Sequence, residues 1–276
     1  MKRSIVLTLL VCLLSFTIQA QLLRLATYNI RFDTPKDSPT NTWKDRSAMV
    51  PALIHFHDFD LFGVQEALPN QLQDLEAALA EYTVVAEGKH NGLNGSTIFF
   101  KTAQFKLLNS GNFWLSPEGT LAGKKGWDAK LPRGCTWVQL KEKKTGNVFF
   151  YFNTHLDHVG VEARKNSTLL ILQQMKKIAG KYPAALSGDF NFSQLNENYT
   201  ALQESGYVKD AYETSPVKYA PNGTFNGFNI IRHSTERIDH IFLSSHFKVL
   251  RYGILTDQFG GKLPSDHFPV LIETQL

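Results

Sequence analysis

Apolar runs of period two alternate along the chain with stretches of helical period, and turn residues separate them. Residues 22–28 form the first predicted strand, followed by a polar loop over 31–41. Positions 43–57 have helical spacing through Met49, Leu53 and Ile54, with Pro51 set against the middle of that helix. A short strand is predicted over 59–64, and a helix over 69–80 that opens on Pro69 and lines up Leu72, Leu75 and Leu79. The middle of the chain is rich in strand patterns, at 82–86, 96–101, 105–113, 135–141 and 148–154, with Thr145-Gly146-Asn147 as the turn between the last two. Helices are predicted over 163–179, with Leu169, Leu170, Leu172 and Met175 on the apolar side, and over 196–206. A buried strand over 184–187 lies between them, and strands over 238–243, 247–255 and 270–273 close the chain. No internal repeat and no linker rich in Pro, Gly or Ser divides residues 21–276, which read as one domain. Hairpins interspersed with helices predict an α/β sandwich, with sheets packed together and helices outside.

Residues 1–20 stand apart. Lys2 and Arg3 precede an apolar run over 5–14, and the segment ends on the small residue Ala20. That is the layout of a cleaved secretory signal, and the run is short of the roughly 20 apolar residues that a membrane span needs. An exported, periplasmic or extracellular protein is expected, with no stable membrane insertion after cleavage. Loss of Lys2 and Arg3 takes the formal net charge from +4 to +2, nearly neutral for a domain of this size. It also takes Cys12, which leaves Cys135 without a disulfide partner, as a small buried hydrophobe in a strand-like setting. At 43% hydrophobic and 20% charged residues, the composition is globular and excludes a disordered or low-complexity chain.

Six short segments share one feature, an apolar strand that ends in acids, amides or histidines. They are Tyr28-Asn29-Ile30-Arg31, Gln65-Glu66, Asn153-Thr154-His155-Leu156-Asp157-His158, Gly188-Asp189-Phe190-Asn191, Arg237-Ile238-Asp239-His240 and Ser265-Asp266-His267. A single Asp or His near a turn is ordinarily a local cap, but six such clusters in one domain point to a site held by the rigid ends of a sheet. Asn29, Glu66, Asp189, Asn191 and Asp266 offer oxygen ligands alone, which suits a hard cation such as Mg²⁺ or Mn²⁺. A zinc site joined by His155 and His267 is the second option. No His-x-x-x-His helix, no Gly-x-Ser-x-Gly elbow and no Walker loop occurs, since residues 88–95 lack the Gly-Lys-Ser/Thr ending.

In their order along the chain, Asn29-Ile30, Gln65-Glu66, Thr154-His155, Gly188-Asp189-Phe190-Asn191, Arg237-Ile238-Asp239 and Ser265-Asp266-His267 resemble the motifs of the endonuclease/exonuclease/phosphatase superfamily. The resemblance extends from Leu23 to Val270 and implies the DNase I-like fold, a four-layer α/β sandwich with two mixed, mainly antiparallel sheets flanked by helices. It implies that Glu66 is the principal metal ligand, with Asn29 beside it and Asp266 helping to hold metal or water. By the same resemblance Asp189 orients or deprotonates the attacking water, Asn191 holds that water or a phosphate oxygen, and His155 contacts the phosphate. His267 would stabilise the charged transition state, with Asp239 setting its tautomer. Phosphoryl chemistry asks for such positioning and charge compensation more than for a special nucleophile.

Four further residues are candidates for substrate binding. Arg46 and Trp43 follow the Asn29 loop, as in secreted bacterial members of the family; Arg46 suits a phosphate and Trp43 a ring, and both suit a helix start packed on the sheet. Arg133 has the same two readings. Asp157, with His158, either enters the site or bonds the following loop. Lys124, Lys125, Lys130, Lys141, Lys143 and Lys144 read as solvated loop residues rather than a nucleic-acid track. The expected function is a secreted phosphodiesterase or phosphatase that uses a divalent cation and an activated water. A secreted nuclease is the alternative, weakened by the lack of a basic run, and a non-catalytic binding module has no chemical need for the whole set of polar residues. The expected partner is a phosphorylated small molecule or nucleic acid, with no obligate protein partner.

Overall fold

The computed structural model describes residues 21–37, 39–86, 96–117 and 123–276. The predicted leader 1–20 and the stretch 88–95 lie outside the described residues. The first half of the chain runs β1 (Leu23–Asn29), α1 (Trp43–Arg46), α2 (Met49–Phe56), β2 (Leu61–Gln65), α3 (Pro69–Ala78), β3 (Tyr82–Val85), β4 (Ser96–Lys101) and β5 (Phe105–Trp114). It continues with β6 (Gly134–Glu142), β7 (Val148–His155), α4 (Val161–Ala179), β8 (Ala184–Asp189) and α5 (Glu197–Gln203). The last part holds β9 (Lys209–Asp210), α6 (Ala211–Thr214), β10 (Lys218–Tyr219), β11 (Asp239–Leu243), β12 (Lys248–Ile254) and β13 (Val270–Gln275).

Among the described residues the strands form two sheets, ordered β10-β12-β13-β1-β2-β4-β3 and β5-β6-β7-β8-β11-β9. Both are mixed and mainly antiparallel, with β1 parallel to β2 and β7 parallel to β8. Period-two alternation divides each strand between two layers of core. Leu25, Leu61, Tyr151, Ile241 and Ile272 face one another between the sheets. Ala26 and Phe62 point the other way, onto Leu53 of α2 and Leu75 of α3. Phe150, Phe152 and Leu186 pack under Ile171 and Met175 of α4. Each fully buried Leu, Ile, Phe or Met among them contributes about 1.5–3 kcal/mol. The result is the helix–sheet–sheet–helix sandwich that the strand and helix pattern predicts.

Strand direction gathers the polar clusters at one edge. Parallel pairing brings the C-terminal ends of β1 and β2 together, and likewise those of β7 and β8. Antiparallel pairing of β11 with β8 sets Asp239 opposite Asp189, and that of β13 with β1 sets Val270 opposite Thr27. The N-terminal ends of β11 and β13 therefore reach the same edge. Beneath it Asn153 of β7 ties the sheets together: its Nδ2 donates to Val64 O at 3.0 Å and Thr97 O at 2.9 Å, and its Oδ1 accepts from Gln65 Nε2 at 2.7 Å. The crossing requires glycine at position 63, where a Cβ would lie 2.3 Å from the Asn153 side chain.

Some elements differ from expectation. The helix predicted over 43–57 is two helices, broken at Ser47 and Ala48. Pro51 has no N–H to give to Ser47 and its ring would meet that carbonyl, so it sits in the first turn of a new helix instead. The helix predicted over 196–206 is cut to α5, opened by the Asn196 side chain accepting from Asn198 N at 2.9 Å. Strands β9 and β10 and helix α6 are two to four residues long and carry no periodicity to read. Strands β7 and β8 continue past the predicted ends at 154 and 187 to include His155 and Asp189, so these side chains stand on the sheet rather than in loops. Among the described residues no helix is long and apolar enough to cross a membrane.

Candidate active site

A cleft of about 490 Å³ opens at this edge, with Glu66, Asp189 and Asn191 in its lining. Its geometry centres on Asp189, which is buried. Asp189 Oδ2 accepts from Asn29 Nδ2 at 3.0 Å and lies 3.4 Å from His155 Nε2 and 3.8 Å from His267 Nε2. Its Oδ1 accepts from Asn191 N at 2.9 Å. Asn191 in turn donates through Nδ2 to Leu156 O at 2.9 Å. The sheets thus meet through side chains from β1, β7, β8 and the segment before β13. Glycine at 188 is obligatory for this approach, because a Cβ there would sit 2.1 Å from Thr154 O.

Two of these residues are aimed by unusual backbone. Glu66 and Asn191 both have left-handed φ, 67° and 51°, Glu66 directly after the end of β2 and Asn191 just past that of β8. Such a conformation in a non-glycine residue costs of order 1–3 kcal/mol and is kept where the surroundings enforce it. At Glu66 it turns the carboxylate into the cleft, where Oε2 accepts from Phe32 N at 3.1 Å.

Charge is distributed unevenly across the cleft. His267 Nδ1 lies 2.8 Å from Asp239 Oδ2. Burial opposes charge on this imidazole, but Asp239 and then Asp189 outweigh it and hold the ring well above the ordinary histidine pKa. His155 is driven the other way, by burial first and then by Arg133, and is held well below it. Burial and the nearby Asp239 carboxylate push Asp189 up, which makes it a stronger proton acceptor than a solvated aspartate once ionised. Burial and then the charge of Glu66 push Asp266 up, against His267 and Arg31.

Oxygen donors that can take a hard cation collect at one corner. Glu66 Oε1 has no hydrogen-bond partner among the described residues, Asn29 Oδ1 accepts from Arg31 N at 3.0 Å and keeps a second lone pair, and Asp266 is destabilised first by burial and then by the charge of Glu66. Carboxylate and carboxamide oxygens of this kind fit a divalent metal. A second convergence, in which ligand atoms of Asp189, Asp239 and His267 all lie within 4.8 Å of one another, has a different character. Asp239 already holds the Nδ1 hydrogen of His267, so that trio is an acid–imidazole–acid array rather than a vacant set of ligands.

The remaining candidates divide. Arg133 lines the cleft, with Nη1 2.9 Å from His155 Nδ1. Arg46 does not enter the cleft: it is 1% exposed, and it donates to Ile30 O at 2.7 Å, Pro264 O at 2.9 Å, Asn41 O at 2.8 Å and Arg31 O at 3.2 Å. Its charge is spent on carbonyls that fix the loop after β1 to the approach of β13. Trp43 is also buried away from the cleft, with Nε1 donating to Asp74 Oδ2 at 2.7 Å. These two positions correct the substrate-binding expectation. Asp157 is a loop organiser as well, accepting from Gly160 N at 2.7 Å and Val159 N at 3.0 Å through Oδ1 and from Leu131 N at 3.0 Å through Oδ2. Burial opposes its ionisation, but the backbone N–H groups hold its carboxyl down at about 2.

Lys130 is an exposed loop residue as expected, and it also lines the cleft, as does His158. Phe32, Phe225 and Arg31 line the cleft too and went unassigned in the sequence. Phe225 packs edge-on to the His267 ring with centroids 5.1 Å apart. Arg46→Met is expected to leave several carbonyls unsatisfied and to lower stability by roughly 2–4 kcal/mol. A melting-temperature drop of roughly 5–15 °C is the measurement. An unchanged melting temperature with a raised KM would instead place Arg46 on the substrate.

The comparisons with known proteins agree with this geometry. The family model described as "Endonuclease/Exonuclease/phosphatase family" matches residues 26–267. No curated protein matches the chain. A solved endonuclease/exonuclease/phosphatase family protein from Bacteroides thetaiotaomicron is 40% identical, covers 93% of this chain and 98% of its own, and superposes with a TM-score of 0.88. A mannosyl-6-phosphatase from the same organism is also 40% identical, over 92% of this chain and 100% of its own, with a TM-score of 0.87. The human nocturnin catalytic domain, at 22% identity over 93% of this chain and 97% of its own, shares the fold with a TM-score of 0.72. With the motif order, the two-sheet sandwich and the match over residues 26–267 in agreement, the chain belongs to the endonuclease/exonuclease/phosphatase family, whose members hydrolyse phosphoester bonds.

Proposed function

We propose that this protein is a divalent-metal-dependent phosphatase acting on a small phosphorylated metabolite, with a sugar phosphate as the first candidate. The observation that carries this reading is the cleft itself. Its volume of about 490 Å³ suits a metabolite, and Arg31, Lys130 and Arg133 face it with the imidazoles of His155 and His267. Lys124, Lys125, Lys141, Lys143 and Lys144 are exposed outside the cleft lining, so these lysines do not extend the cleft into a basic track for a nucleic-acid backbone. The mannosyl-6-phosphatase at 40% identity supports a sugar monoester over a diester.

Glu66, Asn29 and Asp266 would hold Mg²⁺ or Mn²⁺, which when bound supplies charge to the phosphoryl oxygens and orients the substrate. Asp189 takes the proton of the attacking water, and the Asn191 side chain and backbone fix the carboxylate and the turn that present it. His155 Nε2 donates to a phosphoryl oxygen. His267, held cationic by Asp239, offsets the negative charge that develops there.

A panel of p-nitrophenyl phosphate, bis(p-nitrophenyl) phosphate, sugar 6-phosphates, nucleotides, DNA and RNA tests the substrate. Turnover of sugar monoesters above the others is expected; cleavage of nucleic acid alone would overturn the reading. Activity should vanish in EDTA and return with Mg²⁺ or Mn²⁺, and Glu66→Gln should weaken metal binding with the melting temperature of the metal-free protein retained. Full activity in excess chelator would sink the metal assignment. We also propose that the protein is exported, on the strength of the leader-like segment 1–20. Mass spectrometry should then find a mature N-terminus at or near Gln21, and an intact leader on cytoplasmic protein would refute export.

A further inference from the structure

Arg133 is a buried cation with no carboxylate properly paired to it. Its side chain is 5% exposed, and Asp157 Oδ2 stays 3.9 Å from its Nε. Both Asp157 oxygens are already taken by backbone N–H groups of Leu131, Val159 and Gly160. Among the described residues Arg133 Nε has no hydrogen-bond partner. The short contact goes instead to an imidazole, with Nη1 2.9 Å from His155 Nδ1, while Nη2 lies 3.5 Å from His158 Nδ1.

A guanidinium has five N–H donors, no acceptor, and does not lose its proton in a protein. The hydrogen between Arg133 and His155 therefore belongs to Arg133, and His155 Nδ1 presents its lone pair. The ring's hydrogen must then sit on Nε2, which lies 3.4 Å from Asp189 Oδ2. Across the cleft the polarity is reversed, because Asp239 can only accept from His267 Nδ1 when ionised. Two imidazoles flank one carboxylate, one backed by a cation and the other by an anion.

We infer that Arg133 is a positioning residue that locks His155 in its neutral Nε2–H form, so that His155 serves as a fixed hydrogen-bond donor and Asp189 alone accepts the proton of the attacking water. Arg133 itself makes and breaks no bond. Burial, Arg133, His267 and His158 all disfavour a second proton on the ring; the Asp189 carboxylate, 3.4 Å from Nε2, attracts one but is outweighed. The role of His155 in turnover rests on the phosphatase reading above, whereas the tautomer does not.

The test is nitrogen NMR of the Mg²⁺-supplemented protein labelled with ¹⁵N-histidine, with the His155 signals identified by their loss in His155→Gln. Wild type is expected to show one neutral tautomer, hydrogen on Nε2, from about pH 5 to 8. A cationic ring or hydrogen on Nδ1 in that range overturns the proposal without any variant. In Arg133→Met the ring should titrate or mix tautomers, and Arg133→Lys, which keeps a donor, should restore the single form. With p-nitrophenyl phosphate, Arg133→Met should lower kcat roughly 10- to 100-fold with KM little changed. In a His155→Ala background the same substitution should cost nothing further. Retention of the wild-type tautomer in Arg133→Met, multiplied losses in the double variant, or a raised KM at unchanged kcat would each overturn it. Should the protein hydrolyse no phosphoester, the spectra still decide the tautomer, so failure of the functional reading and failure of this one are distinguishable.

Discussion

Asp189→Asn is expected to lower kcat by roughly 10²- to 10⁴-fold, the range for losing a general base. The carboxylate accepts from Asn29 Nδ2 and Asn191 N on separate oxygens, with His155 Nε2 and His267 Nε2 on the Asn29 side. A carboxamide matches only one side of that array. Turned one way its NH₂ faces Asn191 N–H; turned the other way it faces the amide of Asn29 and the histidine hydrogens. The mismatched side costs stability, and a second effect offsets it. Burial and Asp239 push the Asp189 pKa up in the folded protein, so its ionised form is disfavoured by folding. A group of this sign subtracts stability as pH rises from its unfolded value toward its folded one, and the neutral amide removes that penalty. The signature is therefore a collapse of kcat with the melting temperature of the metal-free protein held. Near wild-type turnover in the folded variant would remove Asp189 from the mechanism.

Which residues are legible in the chain follows from where the restraint comes from. Asn29, Glu66, His155, Asp189 and Asp239 each stand at or beside a strand end, and a strand announces itself by period. Their meeting then follows from strand direction, which parallel pairing of β1 with β2 and of β7 with β8 supplies. Phe225 belongs to a long segment without periodicity and reaches His267 through one isolated bridge, so nothing local marks it. Arg46 shows the opposite difficulty. An arginine after a polar loop is as apt for phosphate as for carbonyls, and one of its carbonyl partners, Pro264, is 218 residues away. Long-range closure of this kind leaves no trace in spacing. Pro51 is visible in the sequence, yet whether it breaks a helix or begins another depends on how the preceding turn packs, with Trp43 buried against the α2–α3 side of the sheet.

Asp239→Asn and His267→Ala should each lower kcat by about 10²-fold or more with modest changes in KM, and the double variant should be little worse than the worse single. The reason lies in the contacts of Asp239. Its backbone N donates to Thr224 Oγ1 at 3.1 Å, and so does Ile238 N at 2.9 Å, so the loop is capped by threonine and not by the aspartate side chain. Oδ2 is committed to His267 Nδ1 at 2.8 Å, and Oδ1 has no hydrogen-bond partner among the described residues. The carboxylate therefore acts through the imidazole, and removing either partner removes one function. The pair also leaves a mark on stability. The folded pKa of His267 is raised, so the stabilisation is complete below the unfolded value of about 6.5 and is lost as pH rises through the folded value. Asp239→Asn should accordingly lower the melting temperature more below that window than above it, while the kcat loss persists where the protein is fully folded. Multiplied kcat losses in the double variant would separate the two residues and leave His267 oriented by something other than Asp239.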